Sequence, residues 1–269
     1  MAMMAVLGVL LIVFFVAREA MPVFTQAGPA NLFSSAWDPA GGRYGMLIFI
    51  TGTLTTTVGG LLLGAPLAIG SALFLTQMAP RRVRSFFTRG VELLAGVPSI
   101  VLGWLGFTVM VPWIRTATGS PGMGILAASV ILAIMVLPTI TAISRDALEA
   151  VPRSYLDASL AMGATRWQTI RRVLIPSAKP GLLVAVILGI GRAIGETMAV
   201  ALVIGPATAY PTSLTSPTHT LTTKILLEMG ESAGLQRSAL FAMGLVLLLL
   251  SMVMIVLVRA VTHERKEAA

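Results

Sequence analysis

The stretch GLLVAVILGIGRAIGETMAVALVIG, residues 181–205, is apolar enough to cross a bilayer, yet it carries Arg192 and Glu196. A charge at the bilayer centre costs about 3 kcal/mol on insertion scales, so such a residue faces protein, a partner or a water-filled path. The spacing of four predicts that both side chains lie on one helix face, one turn apart, within pairing reach. Two readings follow from these residues alone: a transport site, or a buried pair that fastens two helices together.

The rest of the chain has the same character. Of its 269 residues 56% are hydrophobic and only 11% charged, and apolar runs repeatedly reach the roughly 20 residues that a membrane helix needs. An ordinary soluble domain is excluded. The net charge of +8 invites a nucleic-acid reading. The basic residues, however, flank apolar segments instead of interleaving with aromatics on a soluble face, so no nucleic-acid partner is expected. There is no cysteine, which removes disulfides, thiol nucleophiles and thiolate metal sites.

The expected fold is an all-α membrane protein with six transmembrane helices. MAMMAVLGVLLIVFFVA, residues 1–17, lacks a basic n-region and reads as a short first span rather than a cleaved signal. Its abrupt start points to an atypical or truncated amino terminus. Further spans are expected at 45–78, 91–114, 122–143, 181–205 and 238–258. The second is long for one crossing and should tilt, kink near Pro66 or protrude; Pro98 interrupts the third and Pro138 lies near the end of the fourth. Glycines in the second and third suit close helix contact. Residues 1–44 thus form a first helix and an external loop, and 45–269 a five-helix domain with a cytoplasmic segment at 144–180.

Orientation follows from the basic residues near span ends. With the amino terminus inside, the cytoplasmic segments hold thirteen: Arg81, Arg82, Arg84 and Arg89; then Arg145, Arg153, Arg166, Arg171, Arg172 and Lys179; then Arg259, Arg265 and Lys266. The outside holds five, Arg18, Arg43, Arg115, Lys224 and Arg237. Both termini are therefore expected to be cytoplasmic. The external loops fall at about 19–44, 115–121 and 206–237 by this rule, the last long enough for a gate or a docking surface.

The one sizeable charged stretch, residues 144–180, contains DALEAVPRSYLDASLAMGATRWQTIRRVLIPSAKP. Apolar residues recur at three to four positions on both sides of Gly163: Leu156, Leu160 and Met162 before it, Trp167, Ile170, Val173 and Leu174 after it. That predicts helix, glycine turn, helix, with Pro176 ending the second piece. The layout fits a protein-docking surface; a basic amphipathic loop resting on lipid headgroups is the alternative.

These residues carry a resemblance. The segment is similar to the EAA motif of ABC importer permeases: Glu-Ala-Ala, three residues, Gly, nine residues, Ile, one residue, Leu-Pro. Asp157, Ala158 and Ser159 stand at the first three places, Gly163 at the glycine with Ala164 after it, and Val173, Ile175 and Pro176 at the end. The spacing matches throughout, with four conservative departures in residue type. RAIGETMAV with the following VIG, then SLTSPTHTLTTKILLEMGE, GLQRSALFAMGLVL and LLAGVPSIVLGWLGF preceded by APRRVRSFF, resemble the PstC type of phosphate ABC permease over nearly all the chain after about residue 44.

The resemblance implies a type I ABC importer permease fold in a bacterial or archaeal cytoplasmic membrane, surrounded by membrane lipid. It implies that residues 157–176 insert into a cleft of an ATPase. It also implies an assembly with a PstA-type second permease, two PstB-type ATPases and an external PstS-type phosphate-binding protein. The chain has no GxxxxGK[ST] loop, so ATP hydrolysis falls to the separate subunit; no cofactor is expected and the chain itself is not an enzyme.

Chemistry agrees with that implication. Phosphate is an anion, and arginine offers planar donors that match its oxygens. Arg192 is the expected lure. Glu196 could hold the arginine until phosphate displaces it, or accept a bond from protonated phosphate, keeping occupancy transient. Thr197 is placed on the same path. Thr51, Thr53, Thr55, Thr56 and Thr57 could line it too, although threonine in spans commonly bonds its own helix.

An arginine alone separates phosphate poorly from sulfate, molybdate or tungstate, so another oxyanion is an alternative cargo. A membrane receptor or scaffold is a rival class that would not need the coupling motif, and an intramembrane enzyme would lack a second catalytic group beside Glu196. His219 and His263 have no partner at metal-ligand spacing and read as surface histidines. Glu228 and Glu231, beside Lys224, read as a solvated loop face.

Overall fold

The computed structural model describes residues 2–263, and the tail residues Arg265 and Lys266 lie outside them. Among the described residues six helices are long and apolar enough to cross a membrane. The first, α1, runs over Ala2–Gln26, well past the apolar run at 1–17, because alanine, glutamate and methionine after Arg18 continue the helix. A short α2 (Pro29–Leu32) and a two-stranded ribbon, β1 (Trp37–Asp38) antiparallel to β2 (Arg43–Tyr44), lead to α3 (Leu47–Gln77). Pro66 lies inside this 31-residue helix.

The third span is shifted from its expected place. Helix α4 (Arg81–Gly96) ends before Val97 and Pro98, and the spanning part is α5 (Ser99–Leu105), a π-helical turn at Gly106–Met110 and α6 (Val111–Thr118). Pro98 therefore separates a surface helix from the span instead of interrupting it. Helix α7 (Ile125–Glu149) extends the fourth span past residue 143.

Next come α8 (Arg153–Ala161), α9 (Arg166–Thr169), a second π-helical turn at Ile170–Leu174, and α10 (Ile175–Gly195). Pro176 does not end a helix. The π turn stands immediately before it, just as the first π turn stands before Val111 and Pro112. Proline supplies no N–H and crowds the carbonyl four residues back, and a wider turn there lets the helix continue. The fifth span thus begins as early as Arg166. Helices α11 (Met198–Val203), α12 (Leu221–Glu228) and α13 (Gly234–His263) complete the described residues.

Helix α7 is central: 67% of its most apolar window is buried in this chain, against 11% for α1 and α13. Its closest partner is α3, which approaches over glycines. A Cβ on Gly60 would lie 2.7 Å from the Leu132 Cβ, and one on Gly64 would lie 2.9 Å from the Ala133 carbonyl. Small residues at such contacts let backbones approach where burial against lipid supplies no driving force. One apolar core joins α3, α7, α10 and α11 through Ala68, Leu132, Val136, Ile140, Ala185 and Val200. A second ties α1 to α13 and α12 through Val23, Phe49, Leu221, Leu240 and Met243, so residues 1–44 are fastened to the rest. A third, with Ala72, Leu148, Ile170, Leu174 and Ala178, seats the charged segment on the ends of α3 and α7.

Candidate functional site

The expected pairing of Arg192 with Glu196 does not occur. Helix α10 ends at Gly195, and Glu196 adopts an extended conformation (φ −72°, ψ 124°). The two residues therefore do not share a helical face, and among the described residues no carboxylate pairs with Arg192. The arginine instead sits in the last turn of α10, exposed on the surface of this chain. Its Nε donates to the Met135 carbonyl of α7 at 3.1 Å. Met135 lies in the turn before Pro138 of α7. The bond holds the stem side of the guanidinium against α7.

Glu196 is half-buried at the break. Its Oε1 accepts from the Ala199 N–H at 3.3 Å, within the first turn of α11. A carboxylate is favoured there by the unsatisfied donors and the helix dipole. Thr197 donates from its hydroxyl to the Gly195 carbonyl at 3.2 Å, and Thr222 of α12 donates to the Glu196 carbonyl at 3.2 Å. The break is thus braced on three sides. Of the threonines in α3, Thr51, Thr53, Thr55 and Thr56 bond carbonyls of their own helix; Thr53 Oγ1 also accepts from the Leu221 N–H at 2.9 Å.

The segment after the break departs most from expectation. Instead of a wholly external loop, residues 218–224 turn back into the protein: Thr218, His219, Thr220, Leu221, Thr222, Thr223 and Lys224 are all buried. His219 is no surface histidine, for it is 5% exposed against Phe49. Gly52 permits this, because a Cβ there would strike the His219 carbonyl. Burial first, and the nearby Lys224 charge second, push the His219 pKa below its ordinary value, while Glu228 and the Pro206 backbone act in the other direction. His263 lies in the last turn of α13.

Lys224 is 4% exposed and salt-bridged to Glu228. Its Nζ lies 5.3 Å from the ring centroids of both Trp37 and Phe49. Glu228 Oε2 accepts from Trp37 Nε1 and from Gln236 Nε2, each at 3.1 Å. Glu228 therefore belongs to a buried network and not to a solvated face; Glu231 is exposed. A Lys and a Glu four apart in the apolar run LTTKILLEMG were the available signal.

In the segment between α7 and α10, α8 is followed by Gly163 with φ +84°, the left-handed turn its glycine predicts. The Ala164 N–H reaches the Ser159 carbonyl at 3.2 Å and the Gly163 N–H the Leu160 carbonyl at 3.0 Å, a Schellman closure. The Ser159 and Thr169 hydroxyls meet at 3.0 Å and join the two arms. Thr165 and Gln168 form a capping box that starts α9; its T-x-x-Q pattern is legible in sequence. Asp157 and Ala158 are exposed on α8, Val173 and Ile175 half-buried, and Pro176 exposed. Asp157 also lines a cavity of about 850 Å³ with Arg84, Glu149, Arg153, Arg166 and Trp167. Tyr155, Met162 and Trp167 are large apolar residues left exposed on this segment.

The family described as "Binding-protein-dependent transport system inner membrane component" matches residues 60–266. The chain is 44% identical over 240 residues to the probable ABC transporter permease protein YqgH of Bacillus subtilis, covering 87% of this chain and 78% of that protein. It is 37% identical over 273 residues to the phosphate transport system permease protein PstC of Mesorhizobium japonicum, covering 94% and 83%. With PstC of Haemophilus influenzae it shares 35% identity over 260 residues, covering 89% and 82%. Among solved structures, a bacterial ABC transporter involved in import of the acidic polysaccharide alginate superposes with a TM-score of 0.70 at 17% identity, covering 98% and 94%. The MetNI methionine ABC transporter does so at 0.55 and 24%, covering 81% and 94%.

Proposed function

The chain belongs to the family of binding-protein-dependent transport system inner membrane components, and from that premise we propose that it is the permease subunit through which inorganic phosphate enters a bacterial or archaeal cytoplasm. The observation that carries this reading is Arg192: a guanidinium held at one nitrogen by the Met135 carbonyl, unpaired with any described carboxylate, beside a break in a membrane span. Such a group offers its remaining donors to an anion's oxygens in planar geometry. Three relatives named as phosphate permeases, from Mesorhizobium japonicum, Haemophilus influenzae and Pasteurella multocida, support phosphate as the cargo.

Glu196 acts differently from a counter-ion in this reading. Its carboxylate holds the start of α11 and so fixes the break that brings Arg192 to the surface of the chain; Thr197 lies on the same path. The exposed face around Arg192 meets a second, PstA-type permease, and the pathway runs between the two. Residues 157–176 dock on one of two PstB-type ATPases, and a PstS-type protein delivers phosphate at the opposite side. ATP-driven closure then moves packed spans as rigid bodies. Both termini lie in the cytoplasm; a single cysteine placed in the α8–α9 turn should react with an impermeant maleimide only from that side.

The decisive experiment is ATP-dependent uptake of radiolabelled phosphate into vesicles holding the chain with its four proposed partners. Arg192→Ala should abolish uptake while the complex still purifies intact. Uptake at the wild-type rate would refute the assignment of Arg192. Inhibition by sulfate, molybdate or tungstate as strong as by phosphate would shift the cargo to another oxyanion.

A further inference from the structure

Helix α4, RRVRSFFTRGVELLAG, has no buried residue in its 16 positions, yet it is sharply two-sided. At about 100° per residue, Val83, Phe86, Phe87, Leu93 and Leu94 fall on one face and Arg81, Ser85, Arg89 and Glu92 on the other, with Arg82 and Arg84 at the borders. Phe86 is 75% and Leu93 74% exposed.

Chain connectivity fixes where this helix can be. Three residues separate it from the end of α3 and two from the start of α5. At about 3.5 Å per residue these links reach no more than roughly 10 Å, so α4 stays at the membrane boundary. Its rotation is fixed by contacts on both sides. Phe87 meets Phe74 of the α3 span edge-on at 6.5 Å, and Phe86 meets Phe87 at 5.8 Å. The apolar face is thereby turned towards the membrane-embedded side of α3. Arg84 is ion-paired with Glu149 at the end of α7, beside the coupling segment. Arg81, Arg82 and Arg89 are exposed and have no carboxylate partner among the described residues.

We infer that α4 lies in the cytoplasmic leaflet as an anchor for anionic lipid, with Phe86, Phe87 and Leu93 among the acyl chains and Arg81, Arg82 and Arg89 on the headgroup phosphates. An amphipathic helix with a basic polar face takes this position, and each arginine near an anionic surface contributes about fivefold in partition. Because α4 is tied to α7 through Arg84 and Glu149, the lipid beneath it also steadies the platform on which the coupling segment stands. This rests on the topology proposed above, not on the identity of the cargo.

The test uses the full transporter reconstituted in vesicles. The chain has no cysteine, so nitroxide labels can be placed on F86C, L93C and R89C of this subunit. Labels at F86C and L93C should relax with oxygen and not with a water-soluble nickel chelate; the label at R89C should do the reverse. Adding phosphatidylglycerol to phosphatidylcholine vesicles should raise ATP-driven turnover several-fold in the wild type and leave the triple variant R81Q/R82Q/R89Q unchanged. Labels at F86C and L93C shielded from both reagents would mean that the second permease covers this face, and would overturn the inference. An undiminished phosphatidylglycerol response in the triple variant would overturn it as well. A label at R89C reached only from the extracytoplasmic side would overturn the topology and this assignment together.

Discussion

Replacing Lys224 with methionine tests the buried network that holds α12 inside the protein. The substitution keeps the apolar stem and removes the charge. The Lys224 side chain is 5% exposed and that of Glu228 26%, so the carboxylate left behind keeps some water together with the Trp37 and Gln236 donors. Breaking a fully buried pair by removing one partner costs about 3–5 kcal/mol, and partial exposure of Glu228 lowers this to roughly 2–4. Loss of the contacts over Trp37 and Phe49 adds about 1 kcal/mol. At roughly 2–4 °C per kcal/mol for a chain of this size, the detergent-solubilised protein should melt about 6–20 °C below wild type by fluorescence-monitored unfolding. Adding Glu228→Gln removes the orphaned charge and should recover about half of the loss. A Lys224→Met protein within a degree of wild type, or a double variant no better than the single, would refute the reasoning.

Three other outcomes follow from the same geometry. Thr222→Val removes the bond to the Glu196 carbonyl, worth about 1 kcal/mol, and should slow phosphate uptake about fivefold, with Thr222→Ser restoring it; equal rates for valine and wild type would dismiss the brace. A Cβ at Gly163 would meet no neighbouring atom within 4 Å, but Gly163→Val forces φ +84° on a branched residue, a cost of about 1–2 kcal/mol; pull-down of the ATPase should weaken about tenfold, and Gly163→Asn should be milder. The His219 pKa is depressed in the fold, so below about 6.5 the unfolded chain binds the proton first and stability is lost as pH falls towards the folded value. The melting temperature should therefore drop between pH 7 and pH 5.5, and a drop of the same size in His219→Gln would show that another group is responsible.

The six spans were legible because each needs only a run of apolar residues, and no other feature of an aqueous chain imitates that run. The Gly163 turn was legible for a similarly local reason: the residue types on either side are helical and glycine alone accepts the left-handed conformation. Boundaries failed where proline was involved. Pro176 read as a stop, but a π turn over Ile170–Leu174 absorbs it, and whether a helix ends or widens depends on the core that Ile170 and Leu174 enter. Arg192 and Glu196 were found and their relation was misread, because spacing predicts a shared face only while the helix continues. His219, Lys224 and Glu228 were misplaced for a different reason. A polar segment rich in Pro, Ser and Thr has no pattern that separates an outer loop from one folded back on glycines such as Gly52.

By itself the sequence determined the spans, since hydrophobicity acts through the solvent and needs no partner in space. It also determined the helix, turn, helix layout around Gly163, which is local. Only the tertiary structure decided that the span holding Arg192 breaks at Glu196, that the arginine hangs from the Met135 carbonyl of α7, and that Lys224 lies inside. Those outcomes depend on which carbonyls, rings and carboxylates other helices bring within reach, and that is a property of packing, to which residues distant in the chain contribute equally.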